Sequence, residues 1–224
     1  MRAVALAACL LLGAPPSPRT TMLGRSWQGR PIRAIEVGSR SAPRVLVVGS
    51  VHGNETAGIA VARALERLSP DDLDLWIVPD LNPDGVAAGT RANAHGVDLN
   101  RNFPRGWRPL TGVYASGPRP LSERESRIAR RLILRLRPRV TIWFHQHLDL
   151  VWGSGGSRRI EQVFARVSGL PYRTEPRLPG SATAWQNGAL PGTTAFVAEL
   201  PAGAPGPARL RRYVRAVLAA GRAS

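Results

Sequence analysis

Short apolar runs rich in β-branched residues recur at residues 33–37, 45–49, 73–78, 139–145, 148–152 and 194–200. Stretches of helical spacing separate most of them, at 56–68, 122–136, 159–167, 182–187 and 208–220. Strands alternating with helices can bury their apolar faces only by covering a sheet with helices. The pattern therefore predicts a single-domain α/β/α sandwich with a mixed, mostly parallel central sheet. The run 139–145 is apolar on both faces and reads as a central strand. Runs 33–37 and 45–49 flank the turn-rich Gly38-Ser39-Arg40-Ser41-Ala42-Pro43, which predicts a hairpin. Ser122 with Glu125 offers a capping box for the helix that ends before Pro138. At 224 residues the chain suits one domain with a proper core.

Residues 79–121 are rich in Asn, Gly, Pro and Arg with little periodicity, the mark of a functional loop rather than a connector. At the start, Met1-Arg2, an apolar stretch over 3–14 and Pro15-Pro16 have the architecture of a secretory leader. The expected division is a leader over 1–20 and a catalytic domain over 21–224, with a secreted or cell-envelope location. Leu6-Ala7-Ala8-Cys9 has the form of a lipoprotein signal, but the apolar stretch before Cys9 is short. Cleavage after Ala14 would leave the mature chain without cysteine, and so without disulfides or a thiolate ligand. No other segment approaches transmembrane length.

The 31 basic side chains are all arginine and face 15 acidic ones, a net charge of +16. Such a surface attracts polyanions, and acidic cell-wall polymers are candidate partners. With no aromatic-interleaved basic stripe and no zinc-finger or helix-turn-helix spacing, specific nucleic-acid recognition is not expected.

The chain has four histidines, His52, His95, His145 and His147. His52 and Glu55 follow an apolar strand as His-Gly-Asn-Glu, where α/β sheets place their sites. His145 ends another strand. Two imidazoles and a carboxylate leave a fourth tetrahedral position open, the arrangement of a catalytic zinc. His147 is a competing imidazole, with His145 preferred as ligand; His95 reads as an exposed loop residue. Asn82-Pro83-Asp84-Gly85, Arg91 and Asp98-Leu99-Asn100-Arg101-Asn102 are too specific for a generic loop. Glu199 stands at the end of an apolar strand, where an acid is costly unless paired, solvated or used.

In this order the motifs resemble the zinc carboxypeptidases, and among them the bacterial murein peptide amidases. The resemblance implies one zinc per chain held by His52, Glu55 and His145. It implies Glu199 as the general base that takes a proton from zinc-bound water and passes it to the leaving amine. Arg91 would stabilise the oxyanion, and Asn100 and Arg101 would hold the free carboxylate of the departing residue. Thr183 and Ala184 would shape the pocket for that residue. The implied substrate is a peptide, in particular a murein peptide, cut before its C-terminal residue. The larger family also has a tyrosine ahead of the general base; Tyr172 is the nearest match, and Tyr114 is remote. His-Gly-Asn-Glu-Thr resembles the N-acyl amino acid deacylases too, aspartoacylase and succinylglutamate desuccinylase among them, which is the alternative.

Overall fold

The computed structural model describes residues 17–176 and 178–224. The expected leader, as far as residue 16 and with Cys9 in it, lies outside them. Seven strands, β1 (Arg19–Arg25), β2 (Pro31–Gly38), β3 (Arg44–Val48), β4 (Asp74–Val78), β5 (Val140–Gly153), β6 (Tyr172–Thr174) and β7 (Thr194–Pro201), form one sheet. The order β1-β2-β4-β3-β5-β6, with β7 on β5, has antiparallel pairs at the β1 edge; β3-β4, β3-β5, β5-β6 and the first arm of β5 with β7 are parallel. The expected mixed, mostly parallel sheet is what forms.

Helices α1 (Ala57–Leu65), α4 (Arg158–Ser168) and α6 (Pro207–Arg222) cover one face through Val61, Leu65, Phe164, Tyr213 and Val217. On the other face, α3 (Arg124–Leu136) and α5 (Ala182–Ala189) pack Ile128, Leu132 and Trp185 around Phe103 and Trp143. The short α2 (Pro83–Ala88) and a 3-10 turn at Leu99–Arg101 lie within the segment expected to be loop. No helix among the described residues is long and apolar enough to cross a membrane.

Two local expectations are corrected. The runs that β2 and β3 contain are not hairpin partners: β4 lies between them, antiparallel to β2 and parallel to β3. The physical reason is burial, because β3 is enclosed almost throughout and needs a neighbour on each side. The capping box does not form either. Helix α3 starts after Glu123 without a side-chain cap, since Ser122 Oγ turns to Glu123 Oε1 and Glu125 accepts from the Trp27 N–H and Asn93 Nδ2.

Strand β5 changes direction within its length. Its register with β7 climbs from Val140↔Thr194 to His147↔Pro201, then descends from Leu150↔Glu199 to Trp152↔Val197. The chain thus folds back around Asp149, which sits at φ 56 in the left-handed region, and β7 lies between the two arms of β5.

Asp80, just beyond β4, accepts from the Asn82 N–H at 2.9 Å and so steers the entry to α2. Burial pushes its carboxyl up to about 6, and Asp84 adds repulsion, against the pull of the Asn82 N–H and Arg63. With the folded-state value above the unfolded one, the protonated form favours the fold. That stability is fully present below about pH 4 and is lost as pH rises through about 6. Asp80→Asn is therefore expected to raise stability at pH 8 by on the order of 1–2 kcal/mol and to change it little at pH 4, as read by urea unfolding.

Candidate metal centre and substrate cleft

The turn between β3 and α1 carries His52 and Glu55 because two backbones meet there. A Cβ on Gly53 would lie 1.9 Å from the carbonyl carbon of Gly85, so only glycine permits the approach. Asn82 closes the same junction. Its Nδ2 donates to the carbonyls of Val51 and Arg91, and its Oδ1 caps α2 by accepting from the Gly85 N–H at 3.0 Å. The His-Gly-Asn-Glu and Asn-Pro-Asp-Gly motifs are thus two halves of one support. Asp84 anchors the second half to the β1–β2 turn through Ser26, the Gln28 N–H and Arg30.

His52, Glu55 and His145 are all buried, and one donor atom of each lies within 4.8 Å of the others. His52 Nδ1 is 2.9 Å from Glu55 Oε1 and 3.1 Å from His145 Nδ1, which is itself 3.0 Å from Glu55 Oε2. On the far side of the ring, His52 Nε2 lies 2.8 Å from Asp98 Oδ1. That partner assigns the His52 proton to Nε2 and leaves the Nδ1 lone pair facing inward. Lone pairs and a carboxylate aimed at one point repel unless a cation lies among them, so this donor set fits a divalent ion with N/O ligation, and zinc above others. Burial opposes charge on Glu55, but the two imidazoles packed against it, His145 and His52, hold its carboxyl well below the usual carboxylate range. Asp98 is likewise held low against burial, by His52 and then by Arg91 and Arg101.

The cluster opens onto a cavity of about 640 Å³ whose walls include Arg91, Asn100, Arg101, Tyr114 and Glu199. Sheet register brings Glu199 there, because it pairs with His145 across β5 and β7. Its Oε2 is buried and has no hydrogen-bond partner among the described residues. Arg91 spends three donors on Glu55 Oε1 and Asp98 Oδ2 and, of the five a guanidinium carries, keeps two for the cleft. Asp98 also accepts from the Asn100 N–H, while Asn100 Oδ1 takes the Ala182 N–H at the start of α5. The amide nitrogen of Asn100 is thereby left for a ligand. Asn102 knits the long loop to the entry of α3 through Ser116, Arg119 and Ser122, and Phe103 pins it in the core.

The remaining sequence-predicted residues fall in different places. Ala184 lines a second, adjoining cavity, whereas Thr183 is buried with its hydroxyl on Glu175 and Ser181. His147 is exposed at the rim of the first cavity and outside the ligand cluster, and His95 is tied to Glu123 against Trp27. Tyr172 is held by Glu161 at 2.9 Å and lines neither cavity. Tyr114, remote in sequence, is the tyrosine in the cleft. Its ring centre lies 5.4 Å from the Arg91 guanidinium and 5.3 Å from that of Arg101. Sequence reasoning also missed Glu175, whose one signal was an acid directly after the Tyr172–Thr174 segment, and gave no role to Asp98.

Comparison with known proteins adds three findings. A family model described as zinc carboxypeptidase matches residues 13–154. Murein peptide amidase A of Escherichia coli (strain K12) is 33% identical over 185 residues, covering 75% of this chain and 76% of that protein. Among solved structures, the murein-tripeptide amidase MpaA from Escherichia coli O157 superposes with a TM-score of 0.73 at 29% identity, over 94% of this chain and 92% of that one. Carboxypeptidase A from Helicoverpa armigera reaches 0.78 at 20% identity, over 94% and 70%, a likeness of fold.

Proposed function

This chain belongs to the zinc carboxypeptidase family, and from that premise we propose that it hydrolyses the amide bond before the C-terminal residue of peptidoglycan-derived peptides. The observation that carries the reading is the convergence, in one cleft, of the His52–Glu55–His145 donor set, the unpartnered carboxylate of Glu199 and the paired groups Asn100 and Arg101. The murein substrate rests on the amidase relatives.

His52, Glu55 and His145 would hold the zinc, which would supply Lewis acidity to the reaction. Glu199 takes a proton from the attacking water on a carboxylate oxygen and returns it to the departing amine nitrogen, so that both the bond made and the bond broken are proton-balanced. Arg91 turns its two remaining N–H groups toward the carbonyl oxygen as negative charge grows there. Arg101 and the Asn100 amide take the terminal carboxylate, which fixes which bond is cut. Tyr114 packs across both guanidinium groups and holds their separation.

The reading extends to location. Its support is the apolar leader-like start, and the arginine excess gives anionic wall polymers a surface to meet. Cleavage after Ala14 would leave β1 whole, whereas cleavage after residue 20 would remove Arg19 and Thr20 from their pairing with Glu36 and Ile35.

The test is zinc content together with release of the terminal residue from a murein tripeptide, alongside hydrolysis of N-acetylaspartate. Zinc with release from the tripeptide alone is the expected result. Zinc with turnover of the acyl amino acid alone would replace this reading with the deacylase one.

A further inference from the structure

The cleft spans the strand ends, and its two flanks belong to opposite faces of the sheet. On one flank Asn100 Oδ1 holds the Ala182 N–H at the start of α5, a helix of the face that α3 also covers. On the other, the lining residues Ala202 and Gly203 lead from β7 into α6, which covers the opposite face together with α1. The groups for the terminal carboxylate thus stand on the α5 flank. A peptide whose departing residue lies there sends its acyl portion past the metal centre toward the α1–α6 flank.

That second flank has little structure of its own. The β5–β7 ladder ends at Pro201, and beyond it Ala202, Gly203 and Ala204 are exposed, with Gly203 turning at φ 79 in the left-handed region. What holds the loop is Gln146, the residue after His145. Its Nε2 donates to the Pro201 carbonyl at 2.9 Å and to the Gly203 carbonyl at 3.0 Å. Its Oε1 accepts from the Ala57 N–H at 2.8 Å, the first of α1, whose N-cap Thr56 makes no side-chain cap bond. The Gln146 N–H donates to Glu55 Oε2 at 3.1 Å. A carboxamide turned end for end would set a donor against the Ala57 N–H and an oxygen against two carbonyls, so these partners fix its orientation. One side chain therefore ties the helix that follows Glu55 to the loop that follows Glu199.

We propose that Gln146 is a positioning residue for the acyl side of the scissile bond, acting on the substrate through the Pro201–Gly203 wall that its amide fixes. The inference rests on the hydrolysis proposed above. A wall already ordered loses no conformational freedom when the acyl portion arrives, whereas a loose one takes that entropy out of the binding energy available to the reaction. The gain should therefore grow with the length of chain ahead of the bond that is cut.

The test compares a murein tripeptide with the N-acetylated form of its terminal residue, which keeps the departing group and shrinks the acyl portion to an acetyl. Gln146→Met keeps the length of the side chain and removes its bonds to Ala57, Pro201 and Gly203. In this variant kcat/KM for the tripeptide is expected to fall by about tenfold and that for the acetylated residue by less than about twofold, with zinc content near wild type. The NMR order parameters of the Gly203 and Ala204 amides in the zinc-loaded chain should drop from about 0.85 to below about 0.6. Equal losses on the two substrates overturn the proposal, because Gln146 would then serve the metal centre as a whole; unchanged order parameters overturn it too. If Gln146→Met does not fold, Gln146→Glu keeps the acceptor for Ala57 and turns an oxygen toward the two carbonyls, and a tripeptide-to-acetyl ratio unchanged in that variant counts against the proposal. Should wild type release nothing from either substrate, the hydrolysis reading fails. Calorimetry of alanylglutamate, the acyl-side fragment, then decides the present one, with binding to wild type that is weakened in Gln146→Met as support and equal affinities as refutation.

Discussion

Glu199→Gln is expected to lower kcat on the murein tripeptide by about a thousandfold while zinc content and KM stay close to wild type. The substitution keeps the shape of the side chain and the β5–β7 register that sets it beside His145. What it removes is the lone pair that accepts the proton, at an atom that is buried and otherwise unpartnered. An amide there can neither take a proton from the attacking water nor return one to the amine. The kcat-against-KM split separates this from a binding defect, and full release by the variant would remove Glu199 from the reaction.

His52→Ala is the second large effect. It removes an inward nitrogen from the donor set and leaves Asp98 buried without its imidazole. The variant is expected to retain no zinc after dialysis and to show no release. Asp98→Asn separates ligation from orientation, because the ring stays and only its fixed tautomer is lost. Zinc affinity should then fall by about 10- to 100-fold, with turnover recovered in excess zinc. Metal titration with a chromogenic competitor checks both, and tight zinc in His52→Ala would refute the assigned ligand set.

The sequence was informative wherever chemistry and local structure coincide. His52 and Glu55 are three residues apart on one turn, and His145 and Glu199 each close an apolar run, so residue type and strand end together marked the site. The central strands were legible for the same reason, being apolar on both faces. Legibility ended where tertiary packing alone decides position. Nothing local tells that β4 inserts between β2 and β3, since a polar turn between two strands suits a crossing as well as a hairpin. β1 is a largely exposed edge strand with no apolar alternation to announce it, and the expected leader boundary falls inside it. Tyr114 reaches the cleft because Asn102 and Phe103 fix the path of a long irregular loop. Glu175 reaches it because a three-residue strand, β6, pairs with the returning arm of β5. Neither position carries a periodic signal.

The return of β5 along the far side of β7 has a consequence for exchange with solvent. Glu199 belongs to a strand flanked on both sides by arms of the same segment, facing His145 on one and Leu150 on the other. Separating Glu199 from His145 beside it therefore requires opening ladders on both sides of β7, a motion that belongs to global rather than local unfolding. The backbone amides around Glu199 should be among the slowest in the molecule to take up deuterium. Those around Glu175, beside a three-residue strand, should exchange far sooner, so that the strand carrying Glu199 stays fixed while the cavity wall at Glu175 breathes.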